Sequence, residues 1–291
     1  MSSVTIPGGV SPSRRAADSL LGELLLESGK LVEMDIVRVL ALQTQQSIRF
    51  GEAARDLGLV SDDDIQRALS RQFDFPYVDA GQSKLSPALV AAHRPFTPQA
   101  EALRTLRSQI MLRWLNDKNK TIAVTAARSG GSRASVAANL AIVFAQLGER
   151  TLLIDGNLRS PAQRDLFASS VSEGLSSVLA GRSVFKHAIV PIEPFQRLSV
   201  LFSGAVTPNP QELLGRVSFD YLMETAPAGF DVVLIDTPPI LESADAHMIA
   251  ARAGGYIVVT ERDATRLADV DRALQLLEPS KAAFLGAVVN G

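Results

Sequence analysis

Residues 121–148 join three kinds of sequence that together can do chemistry. TIAVTA (121–126) is an apolar run of strand length. ARSGGSRAS (127–135) is small, polar and glycine-rich. In the segment that follows, Val136, Leu140, Val143, Phe144 and Leu147 recur at helical intervals before Gly148 stops the pattern. A strand, a glycine-rich loop and a helix N-terminus in this order can hold phosphate groups on backbone N–H donors. Two carboxylates stand at the ends of later apolar runs: Asp155 closes TLLID (151–155) and Asp236 closes DVVLID (231–236).

Measured against the phosphate-loop pattern G-x-x-x-x-G-K-[ST], all four signature positions are changed. The first glycine is Ala127 and the last is Ser132, the lysine is Arg133, and the Ser/Thr is Ala134. Arg133 keeps the charge but offers a planar fork in place of a compact ammonium. Ala134 removes the hydroxyl that would ligate Mg²⁺. Ser135, one residue on, reaches a metal only if the loop shifts. Gly130, Gly131, Ser132, Arg133, Ala134 and Ser135 remain the candidate nucleotide contacts.

The elements that must position this loop are legible as alternation. LSVLFSG (198–204), YIVVT (256–260) and FLGAVVN (284–290) join the three runs above, with helical patterns between most of them. Strands that are apolar throughout are buried on both faces. The expected fold is α/β, a doubly wound and mostly parallel sheet over residues 100–291.

Ahead of it lies an internal repeat. Residues 20–43 realign on 49–72, matching Gly22 with Gly51, Glu23 with Glu52, Gly29 with Gly58, Asp35 with Asp64 and Leu40 with Leu69. Each unit reads as a helix, a glycine turn and a second helix, with Asp62 expected to cap the last one. Residues 19–80 are therefore expected to form a small all-helical domain. The polar stretch 1–18 reads as a disordered leader, and the Pro-punctuated stretch 81–99 as a linker.

Composition narrows the function. Cysteine is absent, which removes disulfides and thiolate metal sites. Only His93, His187 and His247 exist, far apart and expected at surface or loop positions, so a histidine metal centre is not expected. A net charge of −2, with −4 in residues 1–80 and +2 in the rest, draws the protein neither to nucleic acid nor to anionic lipid. No apolar run reaches membrane-spanning length, so a cytoplasmic protein is expected.

Taken together, ALRTLRSQIMLRW (102–114), the loop, LLIDGNLRSP (152–161), NPQELLG (209–215) and FDVVLIDTPPI (230–240) resemble the bacterial tyrosine kinases of polysaccharide export. The resemblance is strongest to the chain-length-determinant kinases of exopolysaccharide operons, relatives of the MinD and ParA ATPases. It implies a P-loop NTPase fold binding ATP and Mg²⁺. In that frame Asp155, Arg133 and Asp236 are the catalytic set, and Asp155, Asp236 and Ser135 are the metal set. Asn290 would contact adenine. Asn157 stands where a second acid is expected. Glu101, Arg104 and Arg107 match the E-x-x-R-x-x-R motif through which such kinases form homo-oligomeric rings. The implied partner is the cytoplasmic segment of a membrane chain-length-determinant protein, a polysaccharide co-polymerase, which would recruit the chain to the membrane.

The implied activity is that of a tyrosine-kinase-like ATPase regulating polysaccharide chain length. The alternative is a catalytically impaired pseudokinase acting as a nucleotide- or cyclic di-GMP-responsive assembly module for a membrane polysaccharide co-polymerase. Tyr77, Tyr221 and Tyr256 are scattered, so a tyrosine substrate is expected elsewhere or on a partner. The N-terminal repeat resembles the N-terminal domain of type II secretion and pilus ATPases, some of which bind cyclic di-GMP. Arg49, Phe50, Gly51, Gly58 and Gln72 match that motif in the second unit, whereas Leu20 replaces the arginine of the first.

Overall fold

The computed structural model describes residues 12–72, 76, 78 and 83–291, with side-chain detail from Leu20 onward except at Arg71 and Gln72. Residues 1–11 of the expected leader lie outside the described residues. The chain divides into two compact units between Tyr77 and Val78.

The first unit holds α1 (Pro12–Glu27), α2 (Glu33–Gln46), α3 (Phe50–Asp56) and α4 (Asp62–Gln72). The repeat is real: Gly29 and Gly58 take φ of 69° and 68° at equivalent turns, where a β-carbon would be strained. Leu21, Leu25, Val39, Phe50, Ala53 and Ala68 form the core between the helices. Two expectations change. The helix α1 extends back to Pro12, into the stretch expected to be irregular. Ser61, not Asp62, caps α4. Its hydroxyl accepts the Asp64 N–H at 3.2 Å, and Asp64 Oδ2 accepts the Ser61 N–H at 3.0 Å. Burial works against the Asp64 carboxylate, but the Ser61 hydroxyl and amide and the Lys30 ammonium hold it down at about 2. Ser61→Ala is expected to cost α4 about 1 kcal/mol, read as faster hydrogen exchange of its first-turn amides.

The second unit is a seven-stranded sheet. Its strands are β1 (Thr121–Ala126), β2 (Thr151–Asp155), β3 (Val190–Ile192), β4 (Phe195–Leu201), β5 (Val232–Asp236), β6 (Gly255–Glu261) and β7 (Ala283–Asn290). They lie in the order β3-β4-β2-β5-β1-β6-β7. All pairs are parallel except the β3–β4 pair at one edge. The short β3, interrupted by Pro191, carries too little periodicity to be read from sequence. Successive strand residues feed opposite cores. Ile122 and Val124 join one cluster with α7 (Ser132–Gln146), and Ala123 joins the other with α12 (Val217–Gly229) and α13 (Asp245–Ala253). Helices thus cover both faces, as the apolar runs predicted.

The expected linker is not one in its described part, residues 83–99. Leu89 is fully buried. The short helix α5 (Val90–His93) is tied to α7: Asn139 Oδ1 accepts the Ala91 N–H at 2.8 Å, and Gln146 Nε2 donates to the Ala91 carbonyl at 2.9 Å. His93 is buried beside the Leu85 carbonyl, correcting the surface reading, while His187 is exposed in α10 (Phe185–Ala188). The helix α6 (Pro98–Arg113) ends at Trp114, whose Nε1 donates to the Thr121 carbonyl at 3.1 Å. The indole lies so close to Gly255 that a β-carbon there would stand 2.6 Å from the ring. Among the described residues no helix is long and apolar enough to cross a membrane.

Candidate functional site

The parallel register builds the site. Asp155 of β2 and Asp236 of β5 are partners at adjacent strand ends, and Asp236 is also level with Val124 of β1. The glycine-rich loop leaves β1 at that end and enters α7 at Ser132. The loop and both carboxylates therefore meet at the carboxyl edge of the sheet, where open α/β folds bind ligands.

Two of the loop's N–H donors, those of Ser129 and Ser132, are taken by carboxylates. Ser129 gives both its N–H and its hydroxyl to Glu242 Oε1, each at 2.6 Å. That hydroxyl, ahead of the opposing cost of burial, holds the Glu242 carboxyl below its ordinary range. Ser132 N–H donates to Glu261 Oε1 at 3.3 Å. The same carboxylate sits over Gly130, where a β-carbon would stand 2.9 Å from it. A cleft of about 160 Å³ opens between the loop and Glu261, Thr265, Arg266 and Asp269. Arg128 crosses its rim in a two-pronged pair with Asp269, at 2.7 and 2.9 Å.

Beneath the loop lies a buried polar cluster. Asp155, Asp236 and Gln163 are all fully buried, and Arg133 is 7% exposed. Arg133 Nη1 donates to Asp236 Oδ1 and to the Thr237 carbonyl. Gln163, the first residue of α8 (Gln163–Leu166), binds both acids. Its N–H donates to Asp155 Oδ2 at 3.2 Å, and its Nε2 donates to Asp236 Oδ2 at 2.8 Å. The same Nε2 reaches the Ala134 carbonyl at 3.1 Å. Burial, with the adjacent Asp236 charge second, pushes the Asp155 carboxyl up to about 8.

Other expected site residues fall differently. Ser135 does not turn to the acids; its hydroxyl donates to the Ser132 carbonyl at 2.8 Å. Asn157 closes a turn, accepting from Ser160 N–H at 3.1 Å and donating to its carbonyl at 2.7 Å. Asn290 is exposed at the end of β7 and does not line the cleft; its carbonyl accepts the Arg262 N–H at 2.8 Å. On α6, Glu101 is exposed and pairs with Arg104 at 2.8 Å, Arg104 also donates to the Pro95 carbonyl, and Arg107 reaches the Val143 carbonyl at 2.7 Å. Both arginines are thus engaged within the unit.

In the first unit, Phe50, one of the positions matching the cyclic di-GMP motif, is 2% exposed and belongs to the core. Gly51 is buried against Ile65 and Leu21, and Gly58 is the turn residue. Arg49 is exposed at the N-cap of α3. The Gln72 side chain lies outside the described residues.

Three functional contacts escaped sequence reading: Gln163, Glu242 and Glu261. Glu261 had a signal, because it closes an apolar strand just as Asp155 and Asp236 do. The other two had none, since only the strand order brings them to the loop.

ATP and Mg²⁺, implied by the resemblance, do not fit the side chains as they stand. Ala134 supplies no hydroxyl, Arg133 is committed to Asp236, and carboxylates hold the loop N–H groups of Ser129 and Ser132. Among the described residues no three His, Cys, Asp or Glu side chains gather into a metal-holding group.

Known proteins match this architecture. The ParA family model, described as NUBPL iron-transfer P-loop NTPase, matches residues 117–291. The tyrosine-protein kinase YwqD of Bacillus subtilis is 35% identical over 209 residues, 72% of this chain and 88% of that protein. The kinase domain of the Escherichia coli tyrosine kinase ETK superposes with a TM-score of 0.69 at 30% identity, covering 74% of this chain and 84% of that one. The chimerical protein CapA2B2 superposes with a TM-score of 0.66 at 31% identity, covering 77% and 97%. By these matches the chain belongs to the bacterial tyrosine-protein kinases, within the ParA-type P-loop NTPases.

Proposed function

We propose that this chain regulates the assembly or export of a surface polysaccharide as a kinase-fold subunit that works by association and not by phosphoryl transfer. The supporting observation is that Arg133 and two of the loop N–H donors are already engaged by the protein's own groups. Phosphoryl transfer rests on positioning and charge compensation around the phosphates. Here Arg133 compensates Asp236, and Glu242 and Glu261 occupy loop N–H donors at Ser129 and Ser132. An incoming triphosphate would displace two carboxylates and then face them as like charges. The lost hydroxyl at Ala134 and the neutral Asn157 act in the same direction.

The partner proposed is the cytoplasmic segment of a membrane chain-length-determinant protein, and self-association through the α6 face is proposed with it. Glu101 is the most accessible member of that motif. Binding of cyclic di-GMP by the first unit finds less support, because Leu20 stands where the first unit of the motif has its arginine.

A second reading, an active Mg-ATP-dependent kinase, is favoured by the retained Asp155 and Asp236 at paired strand ends. Calorimetry with Mg-ATP and Mg-ADP separates the two. The wild type is expected to give no binding heat up to millimolar nucleotide. The variant carrying Ser132→Gly, Arg133→Lys and Ala134→Ser is expected to bind. Magnesium-dependent binding by the wild type at micromolar concentration would overturn the engaged-site argument for an association-only subunit, and phosphoryl transfer to the membrane partner would then decide for the kinase.

A further inference from the structure

We infer that Gln163 is a built-in substitute for a divalent cation, and that this chain holds its two buried strand-end acids with an amide in place of a metal. The inference deepens that reading of the site, and it rests on the contacts of Gln163, which that reading does not use. A cation placed between the two strand ends would have to draw on Asp155, Asp236 and the start of α7. One glutamine contacts all three: Asp155 Oδ2 through its backbone N–H, and Asp236 Oδ2 and the Ala134 carbonyl through Nε2. The remaining oxygens are taken as well. Asp236 Oδ1 accepts from Arg133, and Asp155 Oδ1 accepts the Asn157 N–H at 3.3 Å.

The orientation of the amide follows from its surroundings. Both Nε2 contacts are acceptors, so a flipped amide would set Oε1 against a carboxylate and a carbonyl. The cost is visible at the other end, because Gln163 Oε1 is buried with no hydrogen-bond partner. A buried amide left half-satisfied indicates that its nitrogen is the working end. The position is held firmly. Phe167 N–H donates to the Gln163 carbonyl at 3.0 Å, Ser86 N–H donates to the Leu166 carbonyl at 2.9 Å, and Phe167 is buried in the core. An amide nitrogen donates hydrogen bonds to the acids but brings no charge, so Arg133 supplies the single positive charge of the cluster.

The consequence is a site that is indifferent to divalent metal until Gln163 is changed. The probe is Mn²⁺ alone, without nucleotide, on the full chain. Thermal unfolding and Mn²⁺ titration by electron paramagnetic resonance are compared for wild type, Gln163→Glu and Gln163→Ala. The wild type is expected to bind no Mn²⁺ at up to 1 mM and to unfold at the same temperature in chelator. Gln163→Glu replaces the donor amide beside Asp236 with a carboxyl group, which when ionised cannot serve the carboxylate as a donor. Its unfolding temperature is expected to fall in chelator and to recover by 5 °C or more with Mn²⁺, with about one ion bound per chain.

Stoichiometric Mn²⁺ binding by the wild type would overturn the inference, as would a folded Gln163→Glu protein that ignores Mn²⁺. If Gln163→Glu does not fold, Gln163→Ala decides: uptake of one Mn²⁺ supports the inference, and its absence overturns it. Because no nucleotide is present, failure here is distinct from failure of the association reading, which turns on Mg-ATP binding.

Discussion

Arg133→Ala is expected to destabilise the second unit by about 3–5 kcal/mol, the loss typical when one partner of a buried ion pair is removed. Asp236 is fully buried and Arg133 is 7% exposed, so solvent cannot replace the lost guanidinium. The Thr237 carbonyl loses the same donor. Gln163 still donates to Asp236, which holds the cost toward the lower end of the range. Trp114, the single tryptophan, packs against Gly255 at the start of β6, so its fluorescence follows this unit through urea unfolding. Adding Asp236→Asn is expected to recover most of the loss, because the uncompensated charge disappears with it. A loss below about 1 kcal/mol for Arg133→Ala would mean that the pair does not organise the site.

The second large effect is on pH dependence. The Asp155 carboxyl is raised to about 8 from 3.8. The unfolded chain therefore releases this proton near pH 4, while the folded chain keeps it until about pH 8. The folded state binds the extra proton throughout that window, so stability is full below pH 4 and falls as pH rises through it. At 1.36 kcal/mol per pH unit, the decline reaches about 6 kcal/mol as an upper bound, levelling above pH 8. Asp155→Asn keeps an acceptor oxygen and removes the charge. Its stability curve is expected to be flat across that window, crossing above wild type toward pH 9. Asp231 does not confuse the measurement. Arg150 draws it down to about 2, so its contribution is lost only on acidification below pH 4. A wild-type curve that stays level between pH 5 and 9 would show that Asp155 is ionised throughout.

Nucleotide calorimetry probes the same geometry from its other side. Arg133 and Asp236 were both candidate site residues in the sequence, and the fold pairs them with each other. In sequence, Arg133 stands where a phosphate-binding lysine is expected. In the fold it neutralises the acid that a metal would otherwise approach.

Much was determined by the sequence alone. Apolar runs of strand length alternating with helical patterns specify a parallel sheet, because a strand buried on both faces must be apolar throughout. The strand-end positions of Asp155 and Asp236 follow from those runs, while their adjacency is seen only in the strand register. The helical repeat was legible because its glycines recur at one offset and adopt the same left-handed turn. These are local properties, carried by periodicity and by residues whose conformational freedom is unusual.

Only the tertiary structure decided which partner each polar side chain takes. Gln163 meets Asp236, Ser129 meets Glu242, and Ser132 meets Glu261 across long stretches of sequence. Phe50 entered a core and His93 was buried for the same kind of reason. A glutamine or glutamate has no periodicity of its own, and its hydrogen bonds depend on strand order and on which loops share one edge of the sheet. Spacing along the chain could point to the loop and the acids. Whether the loop is open to phosphate or satisfied by the protein's own carboxylates is a matter of three-dimensional neighbours.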